Sequence, residues 1–268
     1  MKYIVESDGS KRYLVAKDKE SLESESYLFG CEFEFYPNEK YNQDHFIKRL
    51  CLISQSDVVV NDIFVPNFKD ATNYMQLKPD ISLDSNGLEI STPICSYDKL
   101  IEYIIGINSL IEKYGYTNDD TGLHIHISKA KKDGVNFNFY KFALLCNDRG
   151  LFDSWNTRNG YCINVMSVIN YNTKRDSKVI KNKKGRIWNL ELVSKNHVEI
   201  RTMGGVDYHV KNREILQELS KYRDVFIKTL DRDTEAFKAL KREHLEMVKS
   251  ASDEEKIGFM KLFFGEGG

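Results

Sequence analysis

The 268-residue sequence has only four prolines and no Gly/Ser-rich stretch that would serve as a linker. Nothing in its composition divides it into independent halves, so one domain with a helical C-terminal extension is expected. No apolar run approaches the ~20 residues that span a bilayer. The opening residues, MKYIVESDGSKRYLV, lack the apolar core of a signal peptide, so a cytoplasmic protein with no membrane partner is expected. Five cysteines (Cys31, Cys51, Cys95, Cys146 and Cys162) are scattered without CxxC spacing. That pattern fits reduced thiols and argues against a structural zinc knuckle. Lys and Arg number 39 against 40 Asp and Glu, a net charge of −1, so there is no overall positive charge to draw the chain to a nucleic acid. Neither GxGxxG nor GxxxxGK[ST] occurs. No Cys/His or Ser/His/Asp arrangement suggests a covalent protein nucleophile.

What is present is an ordinary globular balance, 41% hydrophobic and 29% charged, and four stretches with alternating character. In Thr121–Ser128 (TGLHIHIS) Leu, Ile and Ile alternate with His124, His126 and Ser128. A strand repeats every two residues, so the polar three share one face. Two imidazoles about 6–7 Å apart on a strand suit a metal or phosphate site, or simply decorate an outer sheet face. In Tyr27–Tyr36 (YLFGCEFEFY) Cys31, Phe33 and Phe35 alternate with Glu32 and Glu34. Two carboxylates on one face repel unless positive charge separates them. Cross-strand lysines meet that need, and so does a divalent cation. Leu88 and Ile90 flank Glu89 after a turn at Asp84–Gly87, and Asp80 on the far side of the turn is a weaker candidate for the same centre. In His197–Thr202 (HVEIRT) Glu199 and Arg201 share a face, where they either pair with each other or hold a metal and a phosphate side by side.

Other stretches read as scaffold. Helices are expected over Asn42–Ser54, with Phe46, Leu50 and Leu52/Ile53 inward, and over Ser96–Gly115. In the latter Ser96 is the N-cap, Gly115 the residue past the C-terminus, and Leu100/Ile101, Ile104/Ile105, Ile107 and Ile111 form the stripe. Asn138–Cys146 reads as a further helix, as do residues 207–230, 233–249 and 252–263. Strands are expected at Tyr13–Ala16 (an edge), Val58–Val60, Ile63–Val65 and Tyr74–Leu83, the last ending or lying at an edge because of Pro79. Ile187–Ser194 and His197–Thr202 read as a hairpin around Lys195-Asn196. Residues 172–186 form a basic loop, either solvated or closing over a phosphate. Together these elements describe an α+β design, a mainly antiparallel sheet with helices on one face and the active site on the other. Carboxylate-rich, cysteine-free ligand sets favour Mg²⁺ or Mn²⁺.

Six of these pieces, in order, resemble the amidoligase family, relatives of glutamine synthetase and glutamate–cysteine ligase. They are GCEFEF (30–35), DISL…GLEISTP (80–93), GLHIHIS (122–128), RNGYC (158–162), RIWNL (186–190) and VEIR (198–201). The likeness implies a glutamine-synthetase-like catalytic domain over residues 26–230, between an N-terminal polar segment (1–25) and a C-terminal helical extension (231–268). It implies ATP-dependent joining of a carboxylate to an amine through an acyl phosphate. Glu32, Glu34, Glu89, His124 and Glu199 would hold two Mg²⁺ or Mn²⁺ ions. His126, Ser128 and Lys181 would lie near the nucleotide, and Arg201, with Arg158 and Arg186, would face the transferring phosphate. Two other readings fit the same residues: a metal-dependent hydrolase working without ATP, and a catalytically silent binding or assembly module. The amphipathic C-terminal helices also admit a homo-oligomer.

Overall fold

The fold is a computed structural model whose described residues are 2–6, 9–15, 22–61, 73–84, 86–130, 137–151, 155, 188–189 and 196–250. The expected strand at Ile63–Val65, the loop at 172–186 and the helix at 252–263 lie outside them. Among the described residues the chain is mixed α+β, with ten strands and five helices. The strands are β1 (Tyr3–Val5), β2 (Lys11–Tyr13), β3 (Tyr27–Pro37), β4 (Val58–Val60), β5 (Met75–Pro79), β6 (Leu88–Ser91), β7 (Gly115–Tyr116), β8 (Gly122–Lys129), β9 (Trp188–Asn189) and β10 (His197–Gly204). The helices are α1 (Gln43–Ser54), α2 (Tyr97–Tyr114), α3 (Phe139–Asp148), α4 (Asn212–Leu230) and α5 (Glu235–Ser250). One sheet runs in the order β1-β2-β4-β5-β6-β3-β8-β10-β9, with β7 beside the end of β3. Every pairing is antiparallel except β4 with β5.

The alternation in β3 and β8 decides which face is covered. Cys31, Phe33, Phe35, Leu123, Ile125 and Ile127 are buried in the core together with Ile104, Ile107 and Ile111 of α2 and Phe46 and Leu50 of α1. Phe35 stacks on Phe46 with ring centroids 5.5 Å apart. Each such fully buried side chain contributes roughly 1.5–3 kcal/mol. Tyr208 and Tyr222 are completely buried too, and their hydroxyls donate to the carbonyls of Glu34 (2.9 Å) and Leu151 (3.0 Å), so neither polar tip is left without a partner.

Capping follows composition. Asn42, Ser96 and Asn138 each accept a backbone N–H three residues on, which starts α1, α2 and α3. The ends differ from expectation at several points. Leu52 and Ile105 face solvent, 70% and 44% exposed, because each lies on the flank of its helix away from the sheet. Gly115 is extended rather than left-handed (φ −150°) and opens β7 at once. A side chain there would come within 2.7 Å of both the Phe35 ring and the Tyr36 carbonyl, so close approach explains the glycine. The strand at 13–16 is instead Lys11–Tyr13, flanked by β1 and β4, and β1 is the edge. The strand over Tyr74–Leu83 is Met75–Pro79 and stops at its proline. Residues 208–210 form a 3-10 turn before α4 begins at Asn212.

Two neighbouring leucines separate the faces of α1 energetically. Leu50→Ala will lower unfolding free energy by about 2–5 kcal/mol, whereas Leu52→Ala will change it by no more than about 0.5 kcal/mol. Urea denaturation of the two variants checks this, and equal losses would place Leu52 in the core.

Candidate metal and active site

The second face of the sheet is built by four adjacent strands, β6, β3, β8 and β10. Register brings their polar residues into rows. Glu34 lies opposite Glu89, Glu32 opposite His124, and His126 opposite Glu199. Opposed residues in antiparallel strands have Cβ atoms only about 5 Å apart, so the acids and imidazoles that alternation put on one face are also in contact.

His124 is the hub. Its Nδ1 lies 3.1 Å from Glu32 Oε2 and 3.7 Å from Glu199 Oε1, and its Nε2 lies 3.5 Å from Glu34 Oε1. His126 Nε2 is 3.6 Å from Glu32 Oε1, and Glu32, His126 and Glu199 offer ligand atoms within 4.8 Å of one another. His126 Nε2 is buried without a hydrogen-bond partner. On the other flank Glu34 Oε2 accepts the Gly122 N–H at 2.6 Å. Glu89 accepts from Ser91 Oγ at 2.5 Å and pairs with Lys78 at 2.9 Å. Arg201 donates from Nε to Glu199, so the two residues that share a face of β10 do pair. Ser128 lies two positions beyond His126, its hydroxyl donating to the Leu28 carbonyl at 3.4 Å.

The electrostatics follow from burial and crowding. Burial alone raises a carboxylate's pKa. For Glu89, burial and then the charge of Glu32 push it from 4.5 up to about 7, against the opposing pull of Lys78 and Ser91. Burial also acts on Glu32, but His126 and His124 outweigh it and hold that carboxyl well below its ordinary value. Glu199 is lowered in the same way, with burial overcome by His126, His124 and Arg201. The imidazoles mirror this. Burial disfavours their charged forms, yet the surrounding glutamates raise both His124 and His126. The glutamates thus favour positive charge on both imidazoles, opposing the effect of burial.

Glu32, Glu34, Glu89, His124, His126, Glu199 and Arg201 are therefore brought together, and Ser128 sits at the margin. Asp80 sits at the turn between β5 and β6, where its Oδ1 accepts from Ser82 N and Ser82 Oγ at 2.7 Å each and its charge helps raise Lys78. Arg158, Lys181 and Arg186 lie outside the described residues. Two participants escaped sequence reasoning. Lys78 faces Glu89 across β5 and β6, a pairing that no local pattern reveals. His197, whose Nε2 is 3.0 Å from His126 Nδ1, has a local signal, since it shares parity with Glu199 and Arg201 on β10.

No protein-family model matches this chain and no curated protein matches it. A solved structure described as a novel glutamine synthase homolog aligns over 90% of this chain and 68% of its own, at 10% identity and a TM-score of 0.34. That likeness is too slight to carry an argument. No helix among the described residues is long and apolar enough to cross a membrane.

Glu89 makes the metal-free site sensitive to alkali. Its folded pKa lies above its unfolded one, so the folded state binds the extra proton and stability falls as pH rises from about 4.5 through about 7. In EDTA-treated protein, Glu89→Gln will flatten the dependence of the urea midpoint on pH across that interval. An unchanged slope would show that Glu89 titrates as an ordinary exposed acid.

Proposed function

We propose that this chain is an ATP-dependent ligase that joins a carboxylate to an amine through an acyl phosphate, using divalent ions held on the β6-β3-β8-β10 face. The observation that carries this reading is the convergence of Glu32, Glu34, Glu89 and Glu199 with His124 and His126 on four adjacent strands. Among the described residues, Lys78 and Arg201 are fixed positive charges paired into that set. The positive charge that the glutamates favour on His124 and His126 is one way to balance the four carboxylates, and divalent cations, by displacing the imidazole protons, would be another. The donor set fits such ions. Glu32, His126 and Glu199 are close enough to share one, and the orphaned His126 Nε2 gains a partner by binding it. Glu34, Glu89 and His124 are the candidates for a second. Carboxylate oxygens with an imidazole suit Mg²⁺ or Mn²⁺.

The ions, when bound, screen the repulsion between anionic phosphoryl donor and carboxylate acceptor and polarise the oxygens between which the phosphoryl group moves. The chain's own residues do the rest. Arg201, anchored through Nε by Glu199, fixes a positive charge beside the metal ligands, where a transferring phosphoryl group develops charge. By the resemblance to amidoligases, Arg158 and Arg186 would share that task, and Ser128 and Lys181 would lie near the nucleotide. The amine substrate then attacks the activated carbonyl and phosphate departs. The partners under this reading are a carboxylate and an amine.

The Glu32–His126–Glu199 set also suits a metal-activated water without ATP, which is the hydrolase alternative. Thermal unfolding separates the two. Mg-ATP at about 100 times its Kd adds roughly 2.7 kcal/mol, a rise of about 5–10 °C for a chain of this size. Glu32→Ala/Glu34→Ala will abolish that rise. Stabilisation by Mn²⁺ or Mg²⁺ alone, unaltered by ATP, would sink the ligase reading in favour of the hydrolase.

A further inference from the structure

His126 and His197 meet diagonally across β8 and β10, His126 lying opposite Glu199 and His197 opposite Ser128. Their nearest nitrogens, His126 Nδ1 and His197 Nε2, are 3.0 Å apart, and the ring planes are inclined at 59°. A hydrogen bond between two neutral imidazoles needs one ring to donate and the other to accept. Two arrangements satisfy it. In the first, His197 donates, and His126 carries its proton on Nε2. In the second, His126 donates from Nδ1, and its Nε2 carries a lone pair.

The surroundings of His126 Nε2 distinguish them. That atom is buried and makes no hydrogen bond. Its closest carboxylate oxygen, Glu32 Oε1, stands 3.6 Å away, beyond hydrogen-bond distance. In the neutral ring a proton there would be a buried donor with no acceptor in hydrogen-bond range, which costs about 1–3 kcal/mol. A lone pair there, in a set with Glu32 and Glu199 whose ligand atoms all lie within 4.8 Å, is a metal ligand. We infer that His197 is a positioning residue, accepting the Nδ1 proton of His126 so that the Nε2 lone pair of His126 is presented to a divalent ion between Glu32 and Glu199. The inference rests on the metal reading of the site. It makes β10 supply both a ligand, Glu199, and, two residues before it, the group that orients the ligand His126 on the neighbouring strand. Metal-bound imidazoles commonly donate their second N–H to a carboxylate, carbonyl or water acceptor, which fixes ring orientation and raises basicity, and the His197 nitrogen is an acceptor in the same position.

Two measurements test it. Mn²⁺ affinity is read by the loss of the free-ion EPR signal in wild type, His197→Ala and His197→Gln, with folding checked by circular dichroism. His197→Ala will weaken Mn²⁺ binding about 10–100-fold. His197→Gln, whose amide oxygen can accept the same N–H, will recover much of the loss. Imidazole nitrogen NMR of the metal-free wild type in mildly alkaline buffer will show the proton of His126 on Nδ1. Wild-type binding with an unaffected His197→Ala overturns this inference and leaves the metal reading standing, and so does a proton found on His126 Nε2. A wild type that takes up no Mn²⁺ overturns the metal reading and this inference together. If His197→Ala does not fold, His197→Gln and the wild-type tautomer decide the matter.

Discussion

The antiparallel register of β3 against β8, and of β8 against β10, is the constraint on which both core and site depend. Glu32 meets His124 and Glu199 meets His126 only at this alignment. A slip of one residue would turn Phe33, Ile125 and Ile200 to the outer face and bury the acids. The apolar face enforces the alignment, since Phe33, Leu123, Ile125 and Ile200 are fully buried. Hydrophobic packing beneath the sheet thereby determines the electrostatics above it.

That upper face is a conflict the fold tolerates. Four carboxylates on neighbouring strands repel, and several are more than nine-tenths hidden from water: Glu34 is 4% and Glu199 6% exposed. Buried charge is costly unless it is paired and hydrogen-bonded. The chain spreads the burden over Lys78, Arg201, two imidazoles and the Gly122 N–H, and Glu89 sheds its charge readily because burial and Glu32 both favour its protonated form. Local rules of good packing are broken in one place only when something else is gained there. A cation bound by Glu32, His126 and Glu199, as proposed above, would be a physical reason for keeping them so close.

Much of the scaffold was legible because short-range physics writes it. Alternation in YLFGCEFEFY and GLHIHIS predicts strands with one apolar face, and β3 and β8 have that form. Asn or Ser ahead of an apolar stripe predicts α1, α2 and α3, and the side chains of Asn42, Ser96 and Asn138 do cap them. Reading failed where a neighbour distant in sequence decides. Leu52 and Ile105 continue apolar stripes, but the helices turn those flanks to water. Gly115 does end α2, but in extended rather than left-handed backbone, and the Phe35 ring is what excludes a side chain. His197 is signalled only by parity with Glu199, and its contact with His126 depends on which strand lies beside β8.

By itself the sequence determined the residue types on each strand face, because side-chain direction alternates through covalent geometry alone. It thereby placed Glu32 with Glu34, His124 with His126, and Glu199 with Arg201. Only the tertiary structure decided which strands adjoin and at what register, because strand pairing is bought with long-range burial that no window of sequence contains. That pairing seats His126 between Glu32 and Glu199, brings Lys78 to Glu89 and joins His197 to His126.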